Sequence, residues 1–367
     1  MIKKWAHIPR CGTLAIVHSE HGLNIKSLFH LYKESHAIAH TSSRLKADAT
    51  VNSALDSKIA RESNWTHKKS TSVESEDMFN KAITNISPSK ITISSTKSAV
   101  KKSINEEIQS TWSQHIKSLT VQGKYLDLLS MEKSDITWKS IMYNLPRGIL
   151  RFAINACIDT LPTHANLRRW GRKSDGKCKL CGNRETLHHS LNNCKIMLEQ
   201  GRYTWRHNSI VNYITCLSSN FETHVDLPGK LKGASTIPSD IFVTNLKPDV
   251  ILIDRDAMEM IIIEISVPFE DNIEKAHSYK STKYNTLICD LENEGLKVNY
   301  FAIEIGSRGY ISKSNVNHIK CLLKKIDSNE KFSTVKSNLC KISLLCSYVI
   351  FYSKFDNAWN EPKLVEL

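Results

Sequence analysis

Residues 247–284, KPDVILIDRDAMEMIIIEISVPFEDNIEKAHSYKSTKY, predict a β-hairpin followed by a helix. Residues 250–253 and 260–267 are apolar and rich in β-branched side chains, which favours strands. The polar residues 254–257 between them favour a turn. We therefore place a two-residue turn at 256–257.

That turn sets the register of the hairpin, pairing Asp254 with Glu259 and placing Asp249 directly opposite Glu264. Facing residues have Cβ atoms roughly 4.5–5.5 Å apart, where like charges destabilise the pair. A divalent cation would compensate, because hard cations take oxygen ligands. The register thus predicts a divalent-cation site whose protein ligands are Asp249 and Glu264.

The following helix adds a lysine to the two acids. At 100° per residue, Lys280 lies within about 40° of the apolar residues that should face the sheet, Ile273, Ala276, Tyr284, Leu287 and Leu291. An ammonium on a buried face needs partners, and Asp249 and Glu264 are available. Two acids and a lysine at one sheet edge favour metal-assisted hydrolysis of a phosphodiester. The alternative is an internal ion pair that caps the core.

Composition indicates a folded, basic chain. Its 367 residues suffice for two or three domains, and 41% hydrophobic residues support real cores. An excess of 50 Lys and Arg over 37 Asp and Glu favours a polyanionic partner, nucleic acid rather than a membrane. No apolar run approaches the roughly 20 residues of a transmembrane helix, and the start lacks a signal-peptide core. We expect an intracellular protein, placed in the nucleus by its charge.

Three of the cysteines cluster in the segment KCKLCGNRETLHHSLNNC. Cys178, Cys181, His189 and Cys194 form a Cys-x2-Cys-x7-His-x4-Cys set, which is enough for a closed tetrahedral Zn²⁺ site. His188 is the competing ligand, but the spacing from His189 to Cys194 is the better match to a zinc knuckle. The alternative is a loop with free thiols.

Basic residues precede this knuckle, and an aromatic residue lies among them. We predict that they bind nucleic acid by neutralising phosphates and stacking on an unpaired base; they are Arg168, Arg169, Trp170, Arg172 and Lys173. Arg206 and His207, near the start of a helix predicted over 201–219, are further candidates. The alternatives are a core tryptophan beside a solvated basic face, and a helix cap at 206–208.

The chain resembles the C-terminal part of non-LTR retrotransposon polyproteins. Residues 4–28 (KWAHIPRCGTLAIVHSEHGLNIKSL) look like the thumb that follows the polymerase palm, and residues 159–172 (DTLPTHANLRRWGR) resemble the linker before the knuckle. The knuckle, the Arg-His-Asn at 206–208 and the Lys-Pro-Asp, Glu, Lys-x2-Lys-Tyr series at 247–284 are similar in type and order. The relatives are the elements with a restriction-enzyme-like endonuclease, such as those inserting into ribosomal RNA genes.

The resemblance implies a multidomain α+β chain with a PD-(D/E)xK restriction-endonuclease-like αβββαβ core. Asp249 matches the first acid, Glu264 the second, and Lys280 the lysine displaced onto the following helix; Lys283 and Tyr284 match the adjacent Lys-Tyr pair as further catalytic residues. Ser266 stands where a general ExK motif has lysine. Whether Lys280 or Lys283 is the catalytic lysine stays open, with Lys247, opposite Ser266, as a more remote candidate.

Six segments are expected along the chain. They begin with a thumb-like helical segment at 1–70, a loosely packed Ser/Thr/Lys-rich connector at 71–103 and a helical linker at 104–175. The zinc knuckle at 176–200, the endonuclease at 201–325 and a helical tail at 326–367 follow.

The resemblance implies a Mg²⁺-dependent endonuclease that nicks target DNA to prime reverse transcription, with target DNA and element RNA as partners. Polymerase chemistry usually uses an adjacent Asp-Asp pair, and the sequence contains none. We therefore expect no polymerase activity from this chain, which is either a fragment of a longer polyprotein or a decayed copy. One alternative is an inactive remnant that binds nucleic acid through the knuckle and basic linker. The other is a structural zinc protein.

Overall fold

The computed structural model describes residues 2–5, 8–64, 70–131, 141, 144–173, 175–218, 221–231 and 233–366. The chain divides into two compact units, Thr13–Asp127 and Met1–Gly12 with Leu128–Leu367. Parts of the predicted linker, at 132–140, 142–143 and 174, lie outside the described residues. Within the described ranges, no helix combines the length and the apolar character needed to cross a membrane.

Thr13–Asp127 is a helical unit that follows the short helix α1 (Ile2–Trp5) of the other unit. Its helices are α2 (Ala15–His18), α3 (Leu28–Lys46), α4 (Ala49–Ser63), α5 (Thr71–Thr84), α6 (Ile93–Ser118) and the start of α7 (Lys124–Met131), with a 3-10 turn at Pro88–Lys90. Polar side chains before α3 to α6 each accept a hydrogen bond from the backbone N–H three residues on, namely Ser27, Asp48, Ser70 and Thr92. These caps explain where the helices begin.

Residues 71–103 correct one prediction, because they form α5 and the first part of α6 rather than a loose connector. Their Ser and Thr residues include the cap of α6 and exposed helical positions, so the composition alone is misleading. Apolar residues recur every four positions and pack in one core, Ala37, Met78, Ala82, Val100 and Ile104. That spacing is the helical signal that the polar composition obscured.

The second unit contains a four-stranded sheet surrounded by helices. In chain order its described elements are α8 (Arg147–Cys157), α9 (His164–Arg169), a π-helix (His189–Asn193), α10 (Lys195–Glu199), α11 (Arg202–Thr215), β1 (Glu222–Val225), β2 (Val250–Asp254), β3 (Glu259–Ser266), a 3-10 turn (Glu270–Asn272), α12 (Ile273–Asn293), β4 (Lys297–Glu304), α13 (Lys313–Lys325) and α14 (Phe332–Tyr352).

The sheet has the order β1-β2-β3-β4, with β1 and β3 antiparallel to β2, and β4 parallel to β3. Asp254 pairs with Glu259 as the sequence predicts. The turn contains four residues, 255–258, rather than two, and Met258 has φ 50°. The pairing is unchanged because the longer turn is centred on the same two residues. The sequence pattern did not single out β1.

Helix α12 covers one face of the sheet. Its apolar side packs on alternate residues of β2 and β3, and the shared core includes Ile251, Ile253, Met260, Ile262, Tyr284, Leu287 and Leu291. Helix α14 lies in the segment predicted as a helical tail, and it is largely buried and packs on α11. Its last turns share a core with the knuckle, which includes Leu187, Leu191 and Phe351.

Candidate functional site

Four side chains between residues 178 and 194 converge on one point. The candidate ligand atoms of Cys178, Cys181, His189 and Cys194 all lie within 4.8 Å of one another. The Sγ atoms of Cys178 and Cys194 are 4.0 Å apart, and Cys181 Sγ is 3.4 Å from His189 Nε2. Tetrahedral zinc with Zn–S bonds of about 2.3 Å places two sulfurs roughly 3.8 Å apart. The donor set therefore fits the predicted zinc ion.

A tight turn presents the first two thiols. Gly182 has φ 76°, which favours glycine, and its N–H donates to the carbonyl of Cys178 at 2.9 Å. The N–H of Cys178 donates to the carbonyl of Asn183 at 2.7 Å. His189 begins the π-helix, and Cys194 ends it. The backbone of a short loop thus fixes the spacing of the ligands.

The buried thiols of Cys178 and Cys194 need a nearby cation in order to ionise near neutral pH. Burial raises the pKa of Cys178 and raises that of Cys194 to about 12, and burial lowers the pKa of His189. Zinc binds thiolates and neutral imidazole, and its charge stabilises both forms. The cluster is therefore suited to a metal and poorly suited to free thiolates. His188, the competing ligand, lies elsewhere, with its ring centroid 4.8 Å from that of Phe269.

Asp249 and Glu264 meet at one edge of the sheet, as the register predicts. The N–H of Asp249 donates to Glu264 Oε1 at 3.1 Å, and the N–H of Ile265 donates to Asp249 Oδ2 at 2.7 Å. Each carboxylate therefore accepts from the backbone of the opposite strand. Asp249 is 7% exposed and Glu264 1%. Two adjacent buried acids require compensating positive charge.

Lys280 supplies part of that charge. Its Nζ lies 3.6 Å from Asp249 Oδ2 and forms an ion pair with Glu264 Oε2. Lys283 is exposed and donates instead to the hydroxyl of Tyr284 at 2.8 Å. Tyr284 is buried, and its hydroxyl donates to the carbonyl of Lys247 at 3.0 Å. Of the three candidate lysines, Lys280 is the one that the structure brings to the acids.

His207 approaches the same carboxylates from α11. Its Nε2 lies 3.2 Å from Asp249 Oδ2 and 3.2 Å from the carbonyl of Ile265. The sequence singled out His207 for nucleic-acid binding and did not connect it with Asp249. Arg-His-Asn near a helix start was the available signal, but nothing local indicated that α11 packs beside the ends of β2 and β3.

The ionisation of the site follows from these contacts. Burial would raise the pKa of Asp249, but the hydrogen bond and charge of His207, with Lys280, hold it at about 2. Burial and the charge of Asp249 raise the pKa of Glu264. Burial would lower the pKa of Lys280 and of His207, yet the neighbouring acid charge raises both. The carboxylate of Asp249 therefore stays ionised between Lys280 and His207.

The basic residues before the knuckle lie at the surface. The side chains of Arg168, Arg169, Arg172 and Lys173 are exposed and Trp170 is partly exposed. Lys173 Nζ is 2.8 Å from His164 Nε2. The exposed guanidinium groups remain compatible with the predicted binding of phosphate.

Arg206 corrects a prediction, because it lies inside the protein. It is 1% exposed, and it donates to Ser347 Oγ at 3.0 Å and to the carbonyl of Val267 at 3.2 Å. Burial lowers the pKa of Arg206 to about 10. Its side chain joins α11, α14 and the end of β3, and it is not available to nucleic acid. The local sequence shows that a cationic residue lies on this helix, but it does not show which side of the helix faces the core.

Residues 119–200 match a protein family described as zinc-binding in reverse transcriptase. This part of the chain includes the four convergent residues, so it is similar to a reverse-transcriptase-related zinc-binding region. The predicted binding of zinc and the predicted relationship to reverse transcriptases are confirmed at that level. No curated protein matches the chain.

Proposed function

We propose that the chain is part of a retrotransposon-encoded protein of the ribosomal-DNA-inserting type and acts as a Mg²⁺-dependent DNA endonuclease. The reverse-transcriptase-related zinc-binding region supports the first half of this proposal. For the second half, the support is the order of α11, three strands, α12 and β4, which is the αβββαβ order that the resemblance implies.

The observation that carries the proposal is the convergence of Asp249, Glu264 and Lys280. Two adjacent buried carboxylates are unfavourable unless positive charge compensates them, and such groups are frequent at functional sites. Lys280 lies 3.6 Å from Asp249 Oδ2 and pairs with Glu264, so a single ammonium lies between both acids. The arrangement unites hard oxygen ligands with a cationic group beside them.

Asp249 and Glu264 are the residues that would hold Mg²⁺, which would act as a Lewis acid on water and phosphate. Lys280 would then hold the attacking water or stabilise negative charge on the phosphate. His207 would keep Asp249 ionised and oriented through its hydrogen bond to Oδ2. Arg168, Arg169 and Arg172 would hold the DNA or the element RNA by phosphate contacts.

A plasmid-nicking assay with the purified full chain in Mg²⁺ tests the proposal. We expect conversion of supercoiled plasmid to open circles, lost on omission of Mg²⁺ and in Asp249→Asn. Asp256→Asn is the matched control, because it removes the same charge from the exposed turn of the same hairpin. Equal nicking by Asp249→Asn and Asp256→Asn would show that this site is not the catalyst.

A second candidate function is metal-independent nucleic-acid binding without cleavage. It is favoured by the ion pairs of Lys280, which satisfy both acids without a metal, and by the exposed arginines before the knuckle. Binding of labelled DNA would then fall steeply with salt and would be indifferent to Mg²⁺. An absence of binding at low salt would instead favour a structural zinc protein.

A further inference from the structure

Helix α11 connects the zinc cluster with the acid site over a single turn. Tyr203 and His207 are four residues apart, so they lie on the same side of the helix, about 6 Å apart along its axis. Tyr203 contacts the backbone of the zinc ligands, and His207 contacts Asp249. The two sites therefore share one rigid element.

The hydroxyl of Tyr203 forms hydrogen bonds with the backbone of the zinc cluster, both as an acceptor and as a donor. It accepts from the N–H of Cys194 at 3.1 Å, and it lies 3.2 Å from the carbonyl of His189 and 3.3 Å from that of Ser190, to either of which it donates. Cys194 and His189 are two of the four candidate ligands. Tyr203 thus fixes the backbone that carries them.

The knuckle and α11 also hold the end of β3. Asn192 in the π-helix donates to the carbonyl of Val267 at 2.7 Å, and Arg206 donates to the same carbonyl at 3.2 Å. His207 Nε2 is 3.2 Å from the carbonyl of Ile265, whose N–H donates to Asp249. The strand end that orients Asp249 is therefore held by the knuckle and by α11 together.

The helix between the two sites is well anchored. Trp205 is buried and donates to the carbonyl of Lys363 at 3.2 Å, and Arg202 donates to the carbonyl of Asp356 at 2.7 Å. A buried helix held at several points moves as a body rather than by bending. A displacement of Tyr203 is consequently passed on to His207.

We propose that Tyr203 is a positioning residue that transmits the geometry of the zinc cluster through α11 to His207 and Asp249. Loss of its hydroxyl loosens the ligand backbone and, one turn later, the hydrogen bonds around Asp249. The consequence for DNA cleavage rests on the proposed function, whereas the coupling between the two sites does not.

Hydrogen exchange of the zinc-loaded full chain tests the coupling. In Tyr203→Phe we expect the amides of Asp249 and Ile265 to exchange about fivefold faster, the effect of losing one ordinary hydrogen bond. The central residues of β2 and β3 should be unaffected. Tyr213→Phe is the matched control, because Tyr213 lies on the same helix and its hydroxyl accepts from Asn338 Nδ2 at 3.2 Å, away from both sites.

Metal affinity and kinetics provide two further readouts. Tyr203→Phe should weaken zinc binding about tenfold in competition with a chromogenic chelator, the usual effect of losing an outer-shell partner. In a chain that nicks DNA, it should lower kcat and leave the KM for DNA unchanged. A chain that does not nick DNA refutes the proposed function, and the exchange measurement still decides about Tyr203.

Three results would overturn the coupling. The first is faster exchange confined to residues 176–200. The second is faster exchange spread evenly over β2 and β3, which indicates general destabilisation. The third is an equal effect of Tyr213→Phe at Asp249 and Ile265.

Discussion

Replacement of Lys280 by methionine should destabilise the protein, and more so at alkaline pH. Methionine keeps the unbranched apolar stem and removes the charge, leaving Asp249 and Glu264 face to face. Removing one partner of a buried ion pair typically costs about 3–5 kcal/mol. The Lys280 side chain is 21% exposed and His207 still faces Asp249, so we expect the lower end, about 3 kcal/mol at pH 8.

The pH dependence follows from Glu264. Its pKa is already raised by burial and by Asp249, and the loss of Lys280 raises it further. A carboxyl group with a higher pKa in the folded state binds a proton more tightly there. The free energy of unfolding therefore falls as the pH rises above 4.5, the ordinary pKa of a glutamate. At pH 5 the proton replaces part of the missing charge, and the loss should be smaller.

Urea unfolding at pH 5 and pH 8, followed by tryptophan fluorescence, measures both free energies. Lys283→Met is the matched control on the same helix, because Lys283 is exposed and its ammonium contacts the hydroxyl and the ring of Tyr284. We expect it to change the unfolding free energy by less than about 1 kcal/mol at either pH. An equal loss at both pH values in Lys280→Met, or a similar loss in Lys283→Met, would refute the reasoning.

Three further predictions concern acid, zinc and DNA. Asp249 has a pKa of about 2 against its ordinary 3.8, so its contribution of about 2 kcal/mol is present above pH 3.8 and is lost as pH falls through 2; acid unfolding of Asp249→Asn should lack this loss. Chelation of zinc should lower the melting temperature measured by circular dichroism, and added zinc should not restore it in Cys194→Ser, since that variant lacks one ligand. Replacing Arg168 and Arg169 together by alanine should reduce the salt slope of DNA binding by about 2 in an anisotropy titration. Arg206→Met should reduce stability and leave that slope unchanged, because Arg206 is buried.

The sequence was most informative where short-range rules decide the geometry. Two runs of apolar, β-branched residues and a polar turn were sufficient to predict the pairing of Asp254 with Glu259, even though the turn has four residues. The helical period was sufficient to predict that Lys280 lies beside the two acids. The spacing of the knuckle selected His189 over His188 for the same reason, since a short loop leaves few arrangements.

Contacts between distant segments could not be predicted in this way. His207 lies 42 residues before Asp249, and their contact depends on how α11 packs against the sheet. Arg206 is adjacent to His207 but points into the core beside α14, which follows more than 100 residues later. In the helical unit, polar composition concealed α5 and the first part of α6, because capping residues and exposed helical positions are also rich in Ser and Thr.

The ion pairs of Lys280 have two explanations. The effect of Mg²⁺ on protein stability distinguishes between them, and no DNA is needed. If the acids form a metal site, the ammonium and Mg²⁺ compete for the same carboxylates, so removal of the ammonium should strengthen Mg²⁺ binding. Lys280→Met should then regain stability at pH 8 as Mg²⁺ is added, following RT ln(1 + [Mg²⁺]/Kd), and Asp249→Asn in the same background should abolish the gain. If the pair only caps the core, Mg²⁺ should stabilise neither variant, because nothing then favours binding to the folded state. Recovery with Mg²⁺ would therefore identify Asp249 and Glu264 as metal ligands even if the chain does not cut DNA.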